Sequence, residues 1–304
     1  MPTTLGQNQY GKAGTRVVRI TRDGAVHHIK DLNVSVSLSG DMDDVHYSGS
    51  NANVLTTDTT KNTVFAFAKK HGIDSAEQFG IHLARHFVTS QASIHRARVR
   101  IEEYAWQRIE TSDPQAAKKH SFVREGRETR LAQVTYDGDR WEVVSGLKDL
   151  TVLNSTDSEF HGYIKDEYTT LPETRDRVLA TRVAGRWRFN WTDDAAETPD
   201  WQTSYEETRR HLLQAFAETY SLSLQQTMYQ MGARIIDHRS EIDEVRFSLP
   251  NQHHFLVDLE PFGLDNDTAE GAVYFAADRP YGLIEATVLR DGCEARIPVD
   301  LTNL

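Results

Sequence analysis

One arrangement of apolar residues occurs twice along the chain, and it limits the possible folds more than any single motif does. From Thr15, the run Val17-Val18-Arg19-Ile20 reads as a strand and Asp23-Gly24 as a tight hairpin turn. The return strand passes through Ile29, Leu32, Val34, Val36 and Leu38, alternating over its second half. After a polar loop, Thr63 to Lys70 has helical character, and Asp74 or Ser75 caps a second helix with Phe79, Leu83, His86 and Phe87 on one stripe. Ile94 to Ile109 is a long strand with interleaved arginines. Ser121 to Tyr136 returns along it, before a turn at Asp137-Gly138-Asp139.

The second half restates this plan. Trp141 to Leu153 and Arg177 to Phe189 read as strands. Two helices follow, one with Tyr205, Leu212, Leu213 and Phe216 at helical spacing, the other with Leu224, Met228, Met231 and Ile235. Glu241 to Leu249 and Val273 to Leu289 close it as strands. Each half is strand, strand, helix, helix, strand, strand, which predicts an α+β fold with helices on one face of an antiparallel sheet. The expected boundary divides residues 1–138 from 139–304. The repeat is one of pattern, without residue identity. Long strands of this kind leave open sheet edges, and closure by other subunits is one remedy.

Composition narrows the function. With 304 residues, 38% hydrophobic and 26% charged, the chain has ample core for a globular protein. No apolar run approaches the roughly 18 residues that span a bilayer. The polar segment Met1 to Lys12 lacks a signal-peptide pattern, and Leu301-Thr302-Asn303-Leu304 is not a peroxisomal address, so a cytoplasmic location is expected. A formal charge of −11 argues against a nucleic-acid binder but leaves room for a small anion held by one buried arginine. Cys293 is the only cysteine, which rules out an intrachain disulfide and a cysteine-rich zinc site. Asp291-Gly292-Cys293 reads as a turn entering a strand. Asp41, Asp43 and Asp44 lack the glycine and closing glutamate of a calcium loop and read as a solvated turn. His82 and His86 lie four apart on a helix, but no third metal ligand is evident. Glycine-rich nucleotide loops and the Gly-x-Ser-x-Gly elbow are absent.

What remains is a set of polar clusters at element ends. They are Gln9-Tyr10-Gly11-Lys12, Thr57-Asp58-Thr59-Thr60-Lys61-Asn62-Thr63, and Phe160-His161-Gly162 followed by Tyr168 to Arg177. Leu224-Gln225-Gln226-Thr227-Met228-Tyr229, Ser248 to Phe255 and Asp278-Arg279-Pro280-Tyr281-Gly282 complete the set. In this order and at these separations, the clusters resemble the urate oxidases over nearly the whole chain. Pro172 and Arg175 depart from the family's usual residues without touching the matched positions.

That resemblance implies two tandem tunnelling-fold domains and a homotetramer whose sheets join into a barrel. It implies active sites at subunit interfaces, urate and oxygen as substrates, and no metal or organic cofactor. It assigns Arg177 and Gln225 to the pyrimidine edge of urate, where a guanidinium fork and an amide match adjacent ring atoms. Phe160 would stack on the purine, Leu171 would form a wall, and Leu224 would contribute backbone. Thr57 and Asp58, from a neighbouring subunit, would bind the other ring, Asp58 through its amide. Asn251 would face the oxygen position above the purine. Lys12, Thr57 and His253 would be the proton-transfer group, with Lys12 taking a proton from the urate monoanion through the threonine hydroxyl.

Taken singly, each of these residues has a plainer reading. Lys12 would be a strand-entry lysine, Thr57-Asp58 a helix cap, Arg177 an ion-pair partner of Asp176, Phe160 core, and Gln225 helix surface. One of His253 and His254 would face the core. Two further functions fit part of the pattern. A pterin-type enzyme on the same fold would need a zinc cluster and an anchoring glutamate. A non-catalytic purine-binding protein would need only the pocket.

Overall fold

The computed structural model describes residues 3–112, 119–267 and 271–299. The C-terminal tetrapeptide read above lies outside them. Eight strands hydrogen-bond to their neighbours in chain order, giving an antiparallel α+β architecture. The chain divides into two compact units, Met1–Leu147 with Arg186–Tyr205, and Lys148–Gly185 with Glu206–Leu304.

In the first unit, β1 (Tyr10–Asp23) and β2 (Val26–Gly40) form the expected hairpin, and β3 (Ile94–Arg108) and β4 (Phe122–Tyr136) continue it. α2 (Thr57–Lys70) packs on β1, and α3 (Ala76–Ser90) packs on β3 and β4. Alternation explains the core: Leu32, Val34, Val36 and Leu38 point to one side of β2 and are essentially inaccessible. On α3 the predicted stripe buries Phe79, Leu83 and Phe87, each worth about 1.5–3 kcal/mol of transfer free energy. His86 of the same stripe stays half-buried, its ring against Phe67. Gly80 lets α3 approach β4, since a Cβ there would come within 2.8 Å of the Val134 side chain. A buried ion pair locks the layer: Arg130 of β4 donates to Glu77 of α3 at 2.7 Å, and Ser145 donates to the other carboxylate oxygen.

The plan recurs in β5 (Trp141–Asn154), β6 (Leu179–Phe189), α4 (Trp201–Glu218), α5 (Leu224–His238), β7 (Ile242–Leu256) and β8 (Tyr274–Leu289). Within the second unit, α5 packs on β7 and β8 with Leu224, Met228, Met231 and Ile235 buried, as their spacing predicts. Gly232 repeats the role of Gly80, with Val288 only 2.6 Å from where its Cβ would be.

Four local readings need correction. α2 begins six residues before Thr63, because Thr56 caps it by accepting the amide of Thr59. The aspartate-rich turn includes a short helix, α1 (Asp43–Tyr47), with Asp43 and Asp44 in its first turn, where negative charge is favoured. β7 runs through Pro250 to Leu256 with a bulge between Asn251 and His253. Asp291-Gly292 is a turn, but no strand follows Cys293 among the described residues.

Candidate active site

The site residues fall into a group in each unit, and local folding explains each placement. In the first unit, Lys12 lies on β1 opposite Val36, just before a bulge that ends at Thr15. Bulges re-aim side chains and are frequent beside active sites. Gly11 keeps the strands close, because a Cβ there would sit 1.9 Å from the Val36 carbonyl oxygen. The hydroxyl of Tyr10 accepts the Leu55 amide at 3.0 Å, tying the lead-in of α2 to the start of β1. Sequence reading gave Tyr10 no role of its own. It was legible only as part of the first cluster.

The cap geometry fixes what α2 offers. Thr56 engages the amides of Thr59 and Thr60, which leaves the amides of Thr57 and Asp58 without partners among the described residues. Two free N–H groups at a helix N-terminus favour a negative or electron-rich ligand. The Thr57 hydroxyl and the Lys12 ammonium also have no hydrogen-bond partner among the described residues. Asp58 differs, because its carboxylate turns back to Lys61 and to Asn62 Nδ2. The Lys61 hydrogen bond and charge hold that carboxyl below its usual range, with a smaller pull from Lys12. Asp58 therefore presents its backbone and not its side chain.

In the second unit, Arg177 and Phe160 are held by one folded segment. Phe160 and Thr174 exchange backbone hydrogen bonds at 2.9 and 3.0 Å. Arg177 donates its amide to the Ser158 carbonyl at 2.9 Å and its Nε to Ser158 Oγ at 3.2 Å. Ser158, fully buried, bridges to Ser221, just ahead of the cap of α5. The guanidinium carbon lies 5.1 Å from the Phe160 ring centroid. Arg177 pairs with no carboxylate among the described residues; Asp176 accepts instead from Thr156. Burial alone pulls the Arg177 pKa below its ordinary value. The ion-pair reading of Arg177 is thus incorrect, and the guanidinium has two nitrogens available for a ligand.

The other second-unit candidates lie on α5, β7 and the segment leading to Arg177. Ser223 caps α5 by accepting the Gln226 amide, which leaves Leu224 and Gln225 at the open first turn. Leu224 is buried, and Gln225 is exposed with no side-chain partner among the described residues. Leu171 is 51% exposed. Asn251 pairs with Gly282 beside the β7 bulge, and His253 with Ala277. Burial first, then the charge of Arg177, lowers the His253 pKa, so His253 lies within the electrostatic reach of Arg177. Both His253 and His254 are half-buried, so neither faces the core as the plainer reading expected. Phe160 is also half-buried and stacks with Tyr163 at 4.9 Å and 19°. Glu159 accepts from the Tyr220 hydroxyl and from His161 at 2.6 Å, fastening the segment. Ser158, Glu159 and Tyr220 were not singled out by sequence. Only the closeness of Glu159 to His161 offered any signal.

The chain is similar to known proteins over nearly its whole length. A family model described as Uricase matches residues 8–135 and 143–285. The uricase of Arthrobacter globiformis is 49% identical over 295 residues, covering 97% of this chain and 93% of that protein. The uricase of Emericella nidulans is 36% identical over 296 residues, covering 95% and 98%. The crystal structure of the Arthrobacter globiformis uricase superposes with a TM-score of 0.90 at 48% identity, covering 98% of this chain and 99% of that one.

Proposed function

The chain belongs to the uricase family, and on that premise we propose that it oxidises urate with molecular oxygen, using the residues just described. The single observation that carries the site assignment is the half-buried Arg177, without a carboxylate among the described residues, beside Phe160 and within electrostatic reach of His253. A planar anion meets each of these needs: charge and hydrogen-bond acceptors for the guanidinium, and a flat face for the ring.

Arg177 and Gln225 bind the pyrimidine edge, Phe160 stacks, and Leu171 and Leu224 close the apolar side. Thr57 and the Asp58 amide bind the opposite ring, and Asn251 holds oxygen above it. Lys12, through the Thr57 hydroxyl, takes a proton from the urate monoanion, and His253 relays protons. The resulting dianion is electron-rich enough to give one electron to oxygen without a metal or organic cofactor. Recombination and water addition balance as urate, O2 and water going to 5-hydroxyisourate and hydrogen peroxide.

The assembly belongs to the same proposal. The chain comprises two tandem tunnelling-fold domains, 1–138 and 139–304, and four copies join their sheets into a barrel with sites between subunits. Support comes from β1 and β8, the first and last strands in the order, which expose Val18, Ile20 and Phe275. Such edges call for a cover. No helix among the described residues is long and apolar enough to cross a membrane, and we place the enzyme in the cytoplasm. The test is loss of urate absorbance in air, in the presence of a chelator, with one peroxide per urate. Turnover only after metal addition contradicts the cofactor-free reading. Tight urate binding without oxygen uptake would instead support a non-catalytic binder.

A further inference from the structure

β3 carries Arg96, Arg98 and Arg100 at alternate positions, on the face opposite the buried Ala97 and Val99 and therefore away from the helices. The register sets each directly across from a serine of β2: Arg96 from Ser39, Arg98 from Ser37, and Arg100 from Ser35. On the other side, Arg98 faces Thr135 of β4 and Arg100 faces Gln133. None of the three arginines pairs with a carboxylate among the described residues. Arg100 Nε donates to Gln133 Oε1 at 2.8 Å, whereas Arg98 reaches only Ser37 Oγ, at 3.5 Å. The next acidic residue on that face of β3, Glu102, already accepts from Asn33 and Tyr104.

Two unmet donors coincide here. Arg98 Nε and Thr135 Oγ1 are both buried without a hydrogen-bond partner among the described residues, and Thr135 is only 5% exposed. They belong to a directly opposed cross-strand pair, on backbones about 4.7–4.9 Å apart. A buried N–H of a half-buried cation and a buried hydroxyl, each left without an acceptor among the described residues, are both costly, and one anion between them would satisfy both. Burial, with Arg100 and Arg96 nearby, lowers the Arg98 pKa, as expected for a cation awaiting a counter-charge.

We propose that Arg98, Thr135 and Ser37 form a binding site for a small tetrahedral oxyanion, phosphate or sulfate, with Arg96 and Arg100 as flanking charges. The geometry favours a tetrahedral ligand over a carboxylate, because the donors come from three adjacent strands and need oxygens in more than one plane. The overall charge of −11 does not oppose binding, since the local field is set by three arginines about 7 Å apart along one strand. This site lies on the sheet face opposite Lys12 and Thr57, because Lys12 pairs with Val36, whose side chain lies in the core beneath the helices.

Isothermal titration of the full chain with phosphate, at constant ionic strength set by chloride, tests the site. Saturable binding, displaced by sulfate and weakened at least ten-fold in both Arg98→Gln and Thr135→Val, is expected. Thr135→Val is nearly isosteric, so it reports on the site even where Arg98→Gln fails to fold. Absence of saturable binding to the unaltered protein, as when another subunit's carboxylate fills the row, overturns the proposal. Unchanged affinity in Thr135→Val also overturns it.

Discussion

Ser158 Oγ accepts a hydrogen bond from Arg177 Nε at 3.2 Å, and the same serine's carbonyl accepts the Arg177 amide. One buried residue thus fixes both the backbone and the Nε edge of the guanidinium, and the two terminal nitrogens have no hydrogen-bond partner among the described residues. Ser158→Ala should raise KM roughly five-fold, the equivalent of about 1 kcal/mol for one neutral-acceptor hydrogen bond. Ser158→Thr should restore most of that, and the thermal midpoint should move little in either. Steady-state kinetics with urate distinguish this from general loosening, which would lower kcat and stability together.

Replacing Arg177 by lysine keeps the charge and removes the fork. A compact ammonium on a flexible stem cannot serve two acceptors in one plane. The expected loss is at least about 2 kcal/mol, or roughly thirty-fold in kcat/KM, as for other truncated buried charge pairs. Unchanged kcat/KM in Arg177→Lys would exclude bidentate recognition.

The Glu77–Arg130 pair makes a prediction about stability alone. Its carboxylate is fully buried and the arginine side chain only 7% exposed. Glu77→Gln leaves Arg130 with only the more distant carboxylate of Glu103, 3.9 Å away, at an expected cost of about 3 kcal/mol. Urea unfolding should show the midpoint falling, while KM of the surviving folded protein stays near that of the unaltered enzyme.

Stability should also depend on pH through buried and half-buried histidines. Burial lowers the pKa values of His82, His86, His211 and His253 in the folded protein. The unfolded chain protonates these residues near their ordinary value of about 6.5, while the folded chain resists protonation until lower pH. Below that value the unfolded state holds more protons, so stability falls as pH drops and is regained on raising it. Thermal midpoints should therefore decline from pH 6.5 downward. His211→Gln should flatten that slope, because His211 is buried with Arg210 and His238 adding to its resistance to protonation. An identical slope in the variant would remove His211 from the account.

The duplicated plan was legible because strand alternation and helical stripes are local patterns imposed by burial. The residues that secure the site were less so. Sequence does not single out Thr56 as the cap, because any of three consecutive residues, Thr56, Thr57 and Asp58, could take that place, and only backbone geometry decides. The short helix after Asp41 holds no buried residue, so no apolar period announced it. β7 extends past its expected end at Leu249: a proline inside a strand usually marks its limit, whereas here it precedes a bulge. Ser158 carries no sequence signal at all: its role depends on a bridge to Ser221, sixty-three positions later. Arg177 stands out only through the family order of the clusters, and its lack of a carboxylate partner among the described residues is a structural fact that no spacing could disclose.

The central claim is that urate is oxidised at a site completed by two subunits, Lys12 and Thr57 from one and Arg177 and Gln225 from another. Complementation tests it directly. Lys12→Met and Arg177→Gln proteins, each inactive alone, are co-expressed, and the isolated hybrid tetramers are assayed for urate loss and peroxide. A shared site predicts recovered activity, because some sites then take an unaltered Lys12 from one subunit and an unaltered Arg177 from its neighbour. Hybrid tetramers that form but remain inactive would contradict it.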